Sequence, residues 1–184
     1  MKVGNIILIL FKISILSLIL SCDRNIDVIP VSDIQTLPTV TVKDLNSVLT
    51  DSGQIELTME APIMEQYDNK EKPYYEFKSG IKVVFFDGKK DPTASVTAKY
   101  AKFTDTENLW ELRDSVVVVD DKKVMLETEL LFWNQETDRI YTDRFVKITN
   151  GDEVMTGLGL ESDSHLRTKK IKKVWAIIYL NDEE

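Results

Sequence analysis

The segment Leu126-Glu127-Thr128-Glu129-Leu130 alternates glutamates with Leu or Thr side chains, and this alternation predicts a half-buried β-strand. Thirty residues earlier, the segment Val96-Thr97-Ala98-Lys99-Tyr100 alternates in the same phase. A slip of one residue would turn every side chain to the opposite face of a sheet, so a preserved phase indicates a repeated unit. The two segments therefore predict hairpins that recur along the chain.

The repeat extends beyond these two segments. A third copy begins at Val154, and upstream the residues from Ile55 to Ala61 alternate in the same manner. Many short strands at regular spacing are typical of an all-β protein. A stack of repeated hairpins forms an elongated sheet with two free edges. The same thirty-residue shift aligns Phe103 with Trp133, Trp110 with Ile140, Val116 with Val146, and Val118 with Ile148.

Length and charge narrow the class of function. The chain has 184 residues, enough for one domain, and a net charge of −8. An acidic body argues against nucleic acid as a partner, because nucleic-acid binding needs basic surface to neutralise phosphates. It also argues against electrostatic attachment to an anionic membrane surface.

Residues 1–21 resemble a secretory signal, with a basic start and a long apolar run. The sequence Leu18-Ile19-Leu20-Ser21-Cys22 resembles a bacterial lipobox, in which the cysteine is acylated and becomes the mature N-terminus. An uncleaved transmembrane helix is the alternative, but it would need roughly 20 apolar residues, and Lys12 interrupts this run. We therefore expect a lipid anchor on Cys22, the only cysteine.

Residues 22–50 are rich in Ser, Thr and Asp and keep no period for long, so we interpret them as a flexible tether. The alternative is that Thr39–Val42 adds an edge strand to the body. The body itself is expected to span residues 51–180, followed by an acidic tail at 181–184.

Catalytic and metal-binding patterns are not found in the sequence. His165 is the single histidine, and no second histidine or further cysteine accompanies it as a metal ligand. Acidic pairs such as Asp120-Asp121 are typical of solvated turns, although a carbohydrate-active enzyme could use scattered acids. We expect no enzyme, no metal and no cofactor. The basic residues from Lys169 to Lys173 either contact lipid phosphates or are exposed charges beside the last strand.

An ordered set of segments resembles the LptC family of lipopolysaccharide-transport proteins. The set includes Leu126 to Asn134, Ile140-Tyr141-Thr142-Asp143, and Gly157-Leu158-Gly159-Leu160 with Ser162-Asp163, and it spans roughly Gly53 to Val174. The resemblance implies an open, twisted β-jellyroll of antiparallel hairpins with an apolar groove between two sheets. Family members generally hold the membrane by an N-terminal helix, whereas this sequence offers a lipobox.

The resemblance also implies a function. Such a protein would lie on the periplasmic face of the inner membrane of a Gram-negative bacterium. It would bind the lipid A acyl chains of lipopolysaccharide and relay the lipid from an inner-membrane ABC transporter to a periplasmic bridge protein of similar fold. A non-catalytic scaffold lipoprotein that acts through its sheet edges is the alternative.

Acyl chains require an apolar trough, and one face of an alternating sheet supplies it. Each candidate lining residue could equally be an ordinary core residue. Gly157 and Gly159 would either form a bulge or admit close approach of lipid or backbone. The candidates are Ile55, Leu57, Phe77, Val83, Phe85, Val96, Ala98, Tyr100, Leu126, Leu130, Phe132, Val146, Ile148, Leu158 and Leu160.

The last predicted strand, Lys172–Leu180, is unusually apolar for an exposed edge. A bare apolar edge is an aggregation hazard, so we expect a partner to cover it by strand pairing. The alternative is a central strand that already has two neighbours. The candidate partner-binding residues are Val174, Ile177, Ile178 and Tyr179.

Overall fold

A computed structural model describes residues 37–68, 71–88, 91–163 and 168–179. The predicted signal segment 1–21, Cys22 and the tail 181–184 lie outside the described residues. The fold is all-β, as predicted. Its elements are β1 (Val40–Asp51), β2 (Gln54–Tyr67), β3 (Tyr74–Phe77), β4 (Ile81–Phe86), β5 (Pro92–Ala98), β6 (Tyr100–Thr104), a 3-10 turn (Asp105–Glu107), β7 (Leu109–Asp120), β8 (Met125–Asn134), β9 (Arg139–Asn150), β10 (Glu153–Asp163) and β11 (Lys169–Tyr179).

The strands form one antiparallel meander in which each long strand bends near its middle. β2 pairs with both β3 and β4, while β7 pairs with both β5 and β6. β3 and β4 are thus two segments of one bent strand, interrupted at Gly80, and β5 and β6 are two segments of the next, interrupted at Lys99. Counted in this way, nine bent strands follow one another in chain order.

The bends coincide with breaks in the strand register. The β7–β8 register shifts between Arg113 and Val116, where Asp114 and Ser115 have φ angles of 63° and 55°. The β9–β10 register shifts between Leu158 and Leu160, where Gly159 has a φ of 75°. Such bulges bend a strand and increase its twist. The aligned bends fold the sheet into two facing halves.

We name the halves after the short strands that each contains. The β4 half comprises β4, β5 and residues 45–61, 116–128, 145–157 and 174–179, whereas the β3 half comprises β3, β6 and residues 40–43, 63–67, 109–113, 130–142 and 160–172. Side chains that both halves direct inward form one core. We call the surface that carries this core the inner face, and the opposite surface the outer face.

The predicted thirty-residue repeat is confirmed by strands of equal length at that spacing. β7 (Leu109–Asp120) and β9 (Arg139–Asn150) each have twelve residues. The residues that precede them, Asn108 and Asp138, both have positive φ angles, of 47° and 51°. One repeat therefore corresponds to one hairpin of two bent strands.

The predicted tether ended at residue 50, but β1 begins at Val40 and pairs with β2 along its whole length. The folded body is therefore longer than predicted, and the alternative of an added edge strand describes this region better. β1 is exposed along most of both faces, so its sequence lacks the alternation that marks a half-buried strand.

Candidate functional site

Most of the predicted lining residues lie on the inner face. They belong to the core or pack against it, and the most deeply buried of them, Leu126, Val146, Ile148 and Leu160, are 0–1% exposed. The structure therefore brings together residues from seven strands on one apolar surface. The residues that share this surface are Leu57, Phe77, Val83, Phe85, Val96, Ala98, Leu126, Val146, Ile148 and Leu160.

Four predicted lining residues lie on the outer face instead: Tyr100, Leu130, Phe132 and Leu158. In β8, Leu126 and Thr128 are buried, and Leu131 rather than Leu130 is the next buried residue. The register of β8 against β9 breaks between Thr128 and Phe132, so the alternation changes phase there. The prediction assumed that alternate side chains keep the same face on both sides of each bend. For this reason it was wrong for these four residues.

The fifth exception is Ile55, which shares the phase of Leu57 but is 43% exposed near the end of β2. Gly159 lies at the bend of β10 with its positive φ angle, as noted above. Gly157 is packed closely against β11, since a Cβ atom there would collide with the side chain of Ile171 and the carbonyl of Lys173. Gly157 thus serves close approach of a neighbouring backbone.

Aromatic side chains close the space between the two halves, away from the bends. Phe85 of the β4 half meets Trp133 of the β3 half edge to face, with ring centroids 5.7 Å apart. On the β3 half, Phe103 and Trp110 are stacked at 4.9 Å, and Tyr75 is 6.2 Å from Phe103. The interior is therefore filled by side chains at this position. Such pairs stabilise beyond the area they bury, typically by ~1 kcal/mol.

Of this aromatic cluster, the prediction selected only Phe85 as a lining residue and did not select Tyr75, Phe103, Trp110 or Trp133. The repeat aligned Phe103 with Trp133 and Trp110 with Ile140, so the apolar character of the positions was visible in the sequence. Their convergence was not visible, because it depends on how far the bends bring the two halves together.

The outer face of the β3 half is polar and ion-paired. The Lys78 ammonium lies 2.7 Å from a Glu65 carboxylate oxygen and donates to the Tyr67 hydroxyl at 2.7 Å. The hydrogen bond to Glu65 raises the pKa of Lys78, and the same bond lowers the pKa of Glu65. Burial, and then a hydrogen bond to Glu76, raise the pKa of Tyr100 to about 12. This network explains why Tyr100 is directed outward.

The two ends of the meander are edge strands within the described part of the chain. β1 pairs only with β2, and β11 pairs only with β10. The apolar side chains of β11 remain open to solvent, with Val174 54% exposed and Ile177 48% exposed. Ile177 pairs with Met155 and Met155 with Ile148, so the inner apolar surface continues to the edge without a covering neighbour.

A comparison with known protein families identifies the family to which this bent β-sheet protein belongs. The model of the family described as "LptC: Lipopolysaccharide-assembly, LptC-related" matches residues 6–177, nearly the whole chain. The chain belongs to the LptC family. LptC proteins are components of lipopolysaccharide transport, associated with the inner membrane on its periplasmic side, and the family is not a family of enzymes. No curated protein matches the chain.

Two negative findings concern the described residues alone. Within residues 37–179, apart from the gaps noted above, no cluster of histidine, cysteine or acidic side chains could hold a metal ion. The same part of the chain contains no helix with the length and apolarity needed to cross a bilayer.

Proposed function

We propose that this LptC protein holds the acyl chains of lipid A against its inner face and relays lipopolysaccharide from an inner-membrane ABC transporter to a periplasmic bridge protein of similar fold. The observation that carries this proposal is the apolar inner face, which crosses all the bent strands and reaches the uncovered edge at β11. The ten inner-facing residues named above, among them Leu57, Phe85 and Leu160, form the lining.

Apolar chains gain about 0.8 kcal/mol for each methylene removed from water, so a long acyl chain selects a long apolar surface. The outer face of the β3 half offers no surface of comparable length, because apolar residues such as Phe132 are interrupted there by ion pairs such as Lys78 with Glu65. Binding on the inner face requires the two halves to separate at Phe85 and Trp133. This aromatic contact is therefore the entrance in the proposed mechanism.

The edges and the anchor complete the proposal. The unpaired backbone groups of β11 would add a strand of the bridge protein, so that the apolar surface continues from one protein into the next. Val174, Ile177, Ile178 and Tyr179 would be covered by that partner; all four are about half exposed or more. Acylation of Cys22 would keep the domain beside the transporter, where the lipid is delivered.

Photo-crosslinking in living cells tests the lipid-binding site. A photoreactive phenylalanine analogue at Leu57, Phe85 or Leu160 should form adducts with lipopolysaccharide. The matched controls are Leu130 and Phe132, which are apolar residues in the same fold but lie on the outer face. Adducts from the inner positions alone support the proposal. Equal adducts from both sets, or none from either in a functional protein, contradict it.

The filled interior favours a second candidate, a scaffold that binds envelope proteins through β1 and β11 without holding lipid. Phe85 and Trp133 are already in contact across the two halves, as expected for a permanently packed core. In the crosslinking experiment, this function would give protein adducts from β11 positions such as Ile178 and no lipid adducts from Phe85. That outcome would replace lipid relay with scaffolding.

A further inference from the structure

Buried polar atoms without a hydrogen-bond partner are rare in folded proteins, and each one calls for an explanation. Among the described residues, such side-chain atoms are Trp110 Nε1, Glu127 Oε2, Trp133 Nε1, Thr149 Oγ1 and Ser162 Oγ. Glu127 Oε2 nonetheless lies 2.9 Å from the Lys147 ammonium, so it is neutralised by an ion pair. Three of the remaining four atoms belong to residues that lie on one line of paired residues across neighbouring strands. They are Trp110 Nε1, Trp133 Nε1 and Ser162 Oγ.

That line runs along the inner face of the β3 half, far from the bends. Trp110 pairs with Trp133, Trp133 pairs with Ile140, and Ile140 pairs with Ser162. The line ends at Lys169, which pairs with Ser162. We call these five residues the lip row. The row carries two buried indole N–H groups, a buried hydroxyl and the ammonium group of Lys169.

The lip row ends at a polar cavity of about 470 Å³. Ser162, which is only 8% exposed, lines this cavity together with Lys169, Lys170 and Arg139. Threonines 137 and 168 add hydroxyl groups to its wall. Neither Lys169 nor Lys170 has a carboxylate within ion-pair distance in the described part of the chain. Lys170 lies opposite Glu161 and contributes to lowering the pKa of that carboxylate, whereas Lys169 lies opposite Ser162.

The acidic residues of the cavity are partly neutralised. Glu161 lies 3.5 Å from Arg139 and 3.1 Å from Lys172. Asp163 accepts hydrogen bonds from the backbone N–H and the hydroxyl of Thr168. Asp138 also lines the cavity. The lining itself is balanced, with three cations and three carboxylates. The partners that Glu161 and Asp163 already have lessen their repulsion of an anion at Lys169.

We propose that the lip row and its cavity recognise the junction between the head group and the acyl chains of a phosphorylated amphiphile. The indole N–H groups of Trp110 and Trp133 donate to ester or amide carbonyl oxygens at the start of the chains. Ser162 and Lys169 bind a phosphate oxygen in the cavity, since ammonium and hydroxyl groups are strong phosphate donors. The chains then extend towards the bends, where Leu131 and Leu126 lie.

This inference rests on the proposed lipid-binding function and adds an orientation to it. The head group lies at the β9–β11 end of the entrance, beside the uncovered edge, while the chains lie inside. A phosphate at Lys169 would also place the head group next to the strand that the bridge protein is proposed to cover.

Equilibrium binding of purified, radiolabelled lipopolysaccharide to the full chain in neutral detergent tests the inference. The variants are Trp110→Phe, Trp133→Phe and Ser162→Ala. Each deletes a donor, and the two tryptophan variants also shorten a ring that packs against the core. Each should weaken binding about fivefold, the equivalent of about 1 kcal/mol for one hydrogen bond. The urea midpoint should not fall for Ser162→Ala, because no internal hydrogen bond is lost. For the two tryptophan variants it should fall slightly, because ring contacts with Phe85 and Phe103 are reduced.

Thr149→Val is the matched control, because it removes another unpartnered hydroxyl but on the outer face, where Thr149 pairs with Val154. Its binding should equal that of the wild type. If the wild type binds and the three variants bind equally well, the lip row is structural and the inference fails while lipid binding stands. If the wild type itself does not bind, the proposed function fails first.

Two further probes identify the source of the phosphate. Lipopolysaccharide with its lipid A phosphates removed should bind the wild type more weakly, and Ser162→Ala should then cause no further loss. Inorganic phosphate alone should not displace the intact lipid at millimolar concentration. Displacement by inorganic phosphate, or an unchanged Ser162→Ala effect with the dephosphorylated lipid, would overturn the assignment of the cavity to a lipid head group.

Discussion

The inner and outer faces of β8 use the same residue types but bury them differently. Leu126 and Leu131 on the inner face are 0% and 1% exposed, whereas Leu130 and Phe132 on the outer face are only half-buried. Phe132 stacks on Tyr141 at 5.2 Å, a neighbour in the same half of the sheet. The inner residues, by contrast, are covered by the opposite half. The covering layer, not the residue type, decides how deeply a side chain is buried.

The largest expected effect comes from placing a charge on each face at adjacent positions. Leu131→Arg would bury an unpaired guanidinium in the core and should cost several kcal/mol in unfolding free energy. Leu130→Arg would extend into solvent beside the exposed Glu129 and should cost less than about 1 kcal/mol. Urea denaturation followed by circular dichroism measures both. Equal losses would mean that the assignment of faces in β8 is incorrect.

Removing part of β11 should affect folding less, because β11 is the edge strand and its inner-face side chains are not covered by the opposite half. Truncation after Val174 should leave a folded domain, because the exposed residues from Trp175 onward contribute little core. It should abolish capture of the bridge protein, measured by affinity purification of the tagged, truncated chain. Val48→Lys on the opposite edge strand is the control and should keep this capture. Global unfolding of the truncated chain, or capture that survives truncation, would refute the edge hypothesis.

The smallest effect concerns the outer-face network around Tyr100. Its pKa in the folded state is raised to about 12, so the folded protein retains the phenolic proton at pH values where the unfolded chain has lost it. Tyr100 therefore contributes stability below about pH 10, and this contribution is lost as the pH rises towards about 12. Unfolding free energies measured between these pH values should fall more steeply in the wild type than in Tyr100→Phe. Parallel slopes would contradict the assigned environment.

The spacing of the strands and the alternation of side chains between faces could be predicted from the sequence, because both depend on residues that are close together along the chain. The repeat of thirty residues correctly anticipated that β7 and β9 correspond to each other. The positive φ angles of Asn108 and Asp138 before these strands follow the same spacing. The bends were not readable. At Asp114 and Ser115 the backbone takes positive φ angles without a glycine to mark them. Two bends carry a glycine with a positive φ angle, Gly80 and Gly159. The prediction interpreted Gly159 as a bulge or a place of close approach, without a change of phase.

The lining residues of the candidate site could be predicted only where the alternation of side chains between the two faces was predicted correctly. Inner-face residues such as Val96 and Leu126 were placed correctly, whereas four residues beside a bend were assigned to the wrong face. Three of them follow a bend, Tyr100, Leu130 and Phe132, and Leu158 precedes one. The indole groups of Trp110 and Trp133 could not be recognised as unpartnered from sequence, since that property depends on what the folded sheet leaves within reach. The full length of the edge strand β1 could not be recognised from sequence either, because β1 is exposed along most of both faces and therefore shows no alternation.

The meander in chain order has a consequence for how such a molecule can grow. Among the described residues, each bent strand pairs only with the bent strands before and after it in the sequence, so no strand pairing between distant segments has to be rebuilt when a hairpin is added or removed. Proteins of this kind can change length by whole units of about thirty residues, as tandem duplications do. The pairing of β10 with β11 and the pairing of β11 with a strand of another chain would then use the same kind of backbone hydrogen bonds. The proposed assembly through β11 would continue the fold with another chain.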